Sequence, residues 1–155
     1  MPPRKSGDLS VSVNPAYHMW LSTRDMARIG YLMLRQGEWN GRQLIPTEWV
    51  RQSTSLLVPS SAMHPASAQR RGMGYGYLWW IVEAPAESPL AGSYSARGAV
   101  GQYIMVIPKL DLVIAHKRAV GDGRTGGNAG VSWPQFMGAV ERVLAARCPG
   151  SCPVP

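Results

Sequence analysis

Between Tyr94 and Lys117 the chain reads YSARGAVGQYIMVIPKLDLVIAHK, with five apolar residues in a row from Tyr103 to Ile107 and four more from Leu112 to Ala115. Apolar runs of strand length that do not alternate with polar residues predict strands covered on both faces. The intervening Pro108-Lys109-Leu110-Asp111 predicts a turn. The Pro108 ring presets φ for the first central position, and the Asp111 carboxylate can accept from backbone where the chain re-enters a strand. Together these features predict a β-hairpin at the centre of an antiparallel sheet. Just upstream, Gly98 and Gly101 bracket Ala99-Val100. Missing Cβ atoms there suit either a β-bulge or a close approach of backbone to a ligand.

A sheet of this kind needs layers to cover it, and 155 residues with 45% hydrophobic content suffice for one compact domain with a core. The formal net charge of +7 raises the question of a nucleic-acid or anionic-membrane partner. The charges are scattered, however: only Arg4-Lys5, Arg70-Arg71 and Lys117-Arg118 are adjacent, and no basic stripe is interleaved with aromatics. A solvated surface is the expectation, without nucleic acid as a partner. Met1 to Lys5 is basic like the start of a signal peptide, but serines interrupt Leu9, Val11 and Val13, so no continuous apolar core of a signal follows. No apolar run reaches membrane-spanning length. Cys148 and Cys152 lie in a Pro-rich tail and either bridge or remain thiols. His18, His64 and His116 are far apart in sequence. No set of ligands spaced for a metal emerges, so neither metal nor cofactor is expected.

Taken in order, Met1–Trp20 predicts an extended lead-in, 21–71 a helical part followed by a loop, 72–147 the sheet with a C-terminal helix, and 148–155 a tail. Ser22-Thr23-Arg24-Asp25 matches the S/T-x-x-D/E capping box and starts a helix. Met26, Ile29 and Met33 make its apolar stripe, Gly30 permits close approach, and Arg24, Arg28 and Arg35 point away. Gly37 is the expected stop. Asn40-Gly41 predicts a tight turn, Pro46 opens a short helix, and Trp39 and Trp49 are expected as core anchors. Ser53 to Arg71 reads as a long surface loop. Residues from Tyr75 to Val82 alternate as one strand with two usable faces. Gly121-Asp122-Gly123-Arg124-Thr125-Gly126 matches G-x-G-x-x-G, yet the next helix cannot begin until Ser132, so a dinucleotide loop is rejected. Ser132-Trp133-Pro134-Gln135 is a second capping box, and Phe136, Val140, Val143 and Leu144 form a stripe reaching to Arg147.

Several segments in succession resemble the serine β-lactamase and penicillin-binding-protein-like hydrolase family, in the branch similar to class C β-lactamases, esterases and D-aminopeptidases. They are WLSTRDMARIGYLMLRQGEWNGRQLIPTEWVRQST, YGYLWWIV, SARGAVGQYIMVIPKLDLVIAHK and the closing helix. The resemblance covers the family's C-terminal portion. It implies an α/β (α+β) fold, an antiparallel sheet flanked by helices, with the Ser22–Gln36 helix in a mainly helical neighbouring region. It also implies acyl transfer on a small-molecule ester, amide or lactam through an acyl-enzyme.

The family's nucleophile motif S-x-x-K and its Tyr-centred second motif are absent; the nearest approach is Ser67-Ala68-Gln69-Arg70. Its third motif, K-T-G or H-x-G, maps onto Ala96-Arg97-Gly98, with Ala96 at the cationic position. By resemblance, Arg97 would supply a cation, Gly98 an open strand edge and the Ala99 N–H half of an oxyanion hole. Catalytic residues are expected in a missing N-terminal half of the same fold. The alternative is a non-catalytic remnant or binding module. Only Ser132–Arg147 stands out as cover for the apolar hairpin, so the chain alone is expected to be inactive and poorly folded.

Overall fold

The computed structural model describes residues 19, 21–66, 69, 72–98, 101–117 and 130–147. The lead-in before Met19, the Gly121–Gly126 segment, Ala99 and both cysteines lie outside the described residues. The chain is α+β, built on a five-stranded antiparallel sheet whose strands follow one another in sequence order. The strands are β3 (Met73–Tyr75), β4 (Trp80–Val82), β5 (Tyr94–Arg97), β6 (Tyr103–Ile107) and β7 (Leu112–His116). A small hairpin of β1 (Glu38–Trp39) and β2 (Arg42–Gln43) stands apart from this sheet. Among the described residues three α-helices complete the fold: α1 (Thr23–Leu34), α2 (Thr47–Ser53) and α3 (Trp133–Arg147).

Every residue of β6 is buried, as its unbroken apolar run predicts. Alternation then divides the strand between two cores. Ile104 and Val106 join Met26 and Met33 of α1, Val50 of α2, Ile81 and Tyr94 on one face. On the other, Tyr103, Met105 and Ile107 join Leu110 with Phe136 and Val140 of α3. The expectation that the first helix belongs to a neighbouring helical region is therefore corrected: α1 lies on the sheet itself. Gly30 is the reason it can. A Cβ there would stand 2.6 Å from Val113 Cγ1 and 2.8 Å from Ile104 Cγ2, so the bare glycine lets the helix backbone settle on the strands. The premise that one helix alone covers the hairpin is corrected with it.

Local signals act largely as the sequence implies. Ser22 Oγ accepts from the Asp25 N–H at 3.1 Å while Asp25 Oδ2 accepts from the Ser22 N–H at 3.2 Å, closing the capping box. The carboxyl of Asp25 is held below its ordinary value, first by the Ser22 hydroxyl, then by the Ser22 backbone and Arg28. Ser132 and Gln135 repeat the reciprocal pattern at α3. Asn40 and Gly41, at φ 50° and 77°, turn β1 into β2. The linker Pro108–Leu110 is a 3-10 turn that leaves Asp111 left-handed at φ 47°. Its carboxylate accepts from Arg35 Nη2 at 2.9 Å rather than from the re-entering backbone.

Two expectations fail for identifiable reasons. The alternating stretch from Tyr75 to Val82 is a hairpin and not one strand. Gly76 donates to the Trp79 carbonyl at 2.8 Å, and Leu78 takes φ 64°, reversing the chain. The carbonyls of Ser53 and Ser55 crowd the Gly76 Cα, leaving no room for a side chain. Trp49 is not a core anchor: it is 51% exposed and stacks on Tyr77, itself 51% exposed.

Candidate functional site

The segment mapped onto the family's third motif ends β5 and enters a turn. Arg97 pairs with Tyr103 across the β5–β6 ladder. Beyond it the Gly98 N–H donates to the Gln102 carbonyl at 2.7 Å, and the Gly101 N–H to the Gly98 carbonyl at 3.3 Å. The two glycines thus close a hairpin; neither a bulge nor an open backbone results at Gly98. Gly98 is exposed, and the nearest atoms a Cβ there would meet belong to the side chain of Gln102. Gly101 is different. It is buried at φ 87°, and a Cβ would come within 2.5 Å of the Val131 backbone N, where the chain leads into α3.

Alternation along β5 sends neighbouring side chains to opposite faces. Ala96, which the sequence reading sets at the resembled family's Lys or His position, packs against the α1 core. Arg97 goes the other way, its guanidinium carbon 3.4 Å from the ring centroid of Trp133 and 4.9 Å from that of Trp80. Such stacking lets a cation remain charged while partly desolvated, because the ring faces are electronegative. The charge is therefore fixed between two indoles rather than presented on a long, mobile side chain.

Around this cation the rings of Tyr103, His116, Trp133 and Phe136 form one cluster. Tyr103 stacks on Phe136 at 4.5 Å, and Trp133 meets Tyr103 edge-on at 5.7 Å. The Tyr103 hydroxyl donates to the Val131 carbonyl at 2.7 Å. His116 Nδ1 lies 2.9 Å from the Gly101 carbonyl, so Nδ1 carries the proton and donates. Both bonds fasten the Gly98–Gly101 turn and the start of α3 to the sheet. On the opposite face Tyr94 is buried against Trp79, and burial raises its phenol well above the ordinary value.

Sequence reasoning singled out Arg97 and Gly98 but not Trp80, Tyr103, His116 and Trp133, which the structure gathers around Arg97. A usable signal was present. Counting back from the Pro108–Asp111 turn sets Ile107 against Leu112 and hence Tyr103 against His116, the observed register. Among the described residues no serine hydroxyl bonds a lysine or histidine side chain, so the cluster offers a fixed cation, aromatic faces and a pinned turn without an activated nucleophile. Nor do the described residues include a group of three or more metal-ligating side chains, or a helix long and apolar enough to cross a membrane.

No family model matches the chain. Over 104 residues it is 29% identical to an uncharacterised protein of Alkalihalophilus pseudofirmus, a match that covers 62% of this chain and 29% of that protein. Among solved structures it resembles a Bacillus anthracis protein provisionally named 6-aminohexanoate-dimer hydrolase. There the TM-score is 0.56 at 24% identity, over 81% of this chain and 29% of the other. The likeness is one of fold, an α+β arrangement of antiparallel sheet and helices consistent with part of a β-lactamase-like fold. In both cases the chain spans less than a third of the longer protein's length.

Proposed function

We propose that this chain is the C-terminal part of a β-lactamase-related serine hydrolase, which transfers an acyl group from an ester, amide or lactam to a serine supplied by the rest of the parent. The observation that carries this reading is the fold shared with a protein named for hydrolysis of a 6-aminohexanoate dimer, of which the chain spans 29%. In this reading the end of β5 borders the substrate. Gly98 puts no Cβ at the exposed end of the strand, the Ala99 N–H would be half of the oxyanion hole as the resemblance implies, and Arg97 is a fixed charge that favours anionic substrates. By itself the chain lacks a nucleophile and is inactive.

The decisive experiment extends the reading frame upstream of Met1 and expresses the longer protein. An in-frame S-x-x-K serine that a nitrophenyl ester acylates, detected by intact mass, supports the proposal. Gly98→Val should then remove most turnover with little change in melting temperature, since the nearest obstacle is the Gln102 side chain. Retained turnover would show that Ala96-Arg97-Gly98 is not the substrate strand. Arg97→Ala should weaken anionic esters more than neutral ones; an equal effect on both would reduce Arg97 to a support for α3.

One observation favours a second reading, a non-catalytic remnant. The family's cationic position maps onto Ala96, which is partly buried against the α1-side core and has no charge of its own. Absence of any acylated serine in the extended protein would select this alternative.

A further inference from the structure

Arg24, Arg28 and Tyr31 of α1 and Arg35 at its C-cap follow one another at intervals of four, three and four residues, which places them on one side of the helix. Between that side, the edge of the sheet at β7 and the β1 strand runs an open groove of about 360 Å³. Its lining has four parts. Ala27, Leu34 and Val113 are apolar; Tyr31 and Trp39 meet edge-to-face at 5.8 Å; Arg24 and Arg28 are cationic; and Asp111, held by Arg35 from outside the lining, is acidic.

The charges in and beside the groove do not balance. Arg28 holds Asp25 at 2.8 Å and Arg35 holds Asp111 at 2.9 Å, while Arg24 makes no ion pair among the described residues. Three guanidiniums therefore face two carboxylates, an excess of one positive charge beside exposed aromatic surface. The volume suits a small molecule of one or two rings. A single excess charge is far too little for a nucleic-acid backbone, which would need a track of cations.

We propose that this groove binds a small amphipathic anion, with a flat apolar body against Tyr31 and Trp39 and a carboxylate or sulfonate held by Arg24. Charge-assisted hydrogen bonds from a guanidinium fix the anionic end, and edge and face contacts with the two rings fix the body. The groove lies on the α1 side of the sheet, whereas Arg97 and its ring cluster lie on the α3 side. This inference is therefore independent of the hydrolase reading, and either can fail alone.

The test titrates 2-naphthoate into the 155-residue chain, with uncharged 2-naphthylmethanol as control, following the Trp39 indole N–H by NMR. The acid should bind at least about tenfold more tightly than the alcohol, with a preference that shrinks as salt is added. Arg24→Gln, at an exposed position, should remove most of that preference, and Trp39→Leu should weaken both ligands. Arg51→Gln, on α2 outside the groove, should change neither. Equal binding of acid and alcohol, or equal losses from Arg24→Gln and Arg51→Gln, would overturn the proposal. So would binding of a tetraglutamate peptide without binding of naphthoate, which would make the groove a protein-docking edge. Should Trp39→Leu fail to fold, the Arg24 and Arg51 pair still decides.

Discussion

The two faces of β6 solve the same burial problem by different means. On the α1 face the helix is brought close by a glycine: Gly30 sits where any Cβ would strike Val113 and Ile104. On the α3 face the space is filled by rings, with Phe136 stacked on Tyr103 and Arg97 laid over Trp133. The first face tolerates no added volume, and the second tolerates no removed volume. Close packing makes both intolerances costly, but mutation exposes them in opposite directions.

Phe136→Ala should give the largest effect, because it empties a buried ring site between sheet and α3; a loss of about 4 kcal/mol is expected in urea unfolding. A loss below about 1 kcal/mol would mean that α3 adds little to the core. Gly30→Val tests the other face by overfilling it, with an expected cost of about 3 kcal/mol. Its control is Gly98→Val, where the nearest obstacle is a glutamine side chain, and a change within about 0.5 kcal/mol is expected. Equal costs at the two glycines would remove the distinction between a helix seat and an exposed turn.

Smaller effects sharpen the same contrast. The Tyr94 hydroxyl is buried on the α1 face with no hydrogen-bond partner among the described residues. Tyr94→Phe should therefore stabilise the chain by about 1 kcal/mol at neutral pH. Because burial raises the phenol's folded-state value above the ordinary 10.0, its contribution is intact below about pH 10 and is lost as pH climbs past it. The variant should flatten that alkaline loss in melting curves; an unchanged curve would place the phenol in contact with water. At the start of α1, Ser22→Ala should cost about 1 kcal/mol. Asp25 is depressed in the folded state, so its share is present above the ordinary value of 3.8 and fades as pH falls below it. Ser22→Ala should weaken that acid dependence, and an unaltered acid limb in the melting profile would count against the capping box.

The elements whose causes are local were legible from the chain. Capping boxes at Ser22 and Ser132, the Asn40-Gly41 turn and the unbroken apolar run of β6 each rest on a few adjacent residues. What escaped depended on partners far away in sequence. The reversal after Tyr75 needs Gly76 pressed against the carbonyls of Ser53 and Ser55. The seat of α1 needs Val113, more than 80 residues from Gly30. The candidate site divides in the same way. Arg97 and Gly98 could be named from a motif, but the indoles that hold the guanidinium come from β4 and α3. Only the register of two hairpins and the docking of α3 bring them together.

The burial of β6 between a helix that precedes it and one that follows it also sets an order in time. When Lys117 leaves the ribosome, α1 is already available to cover Ile104 and Val106, but α3 is not. Another 30 residues, Arg118 to Arg147, must be added before Phe136 and Val140 can reach the other side. At about 5–20 residues per second that interval lasts roughly 2–6 s. Throughout it Tyr103, Met105 and Ile107 present an apolar row to solvent, and the strand that ends buried along its whole length begins as a segment open to a chaperone.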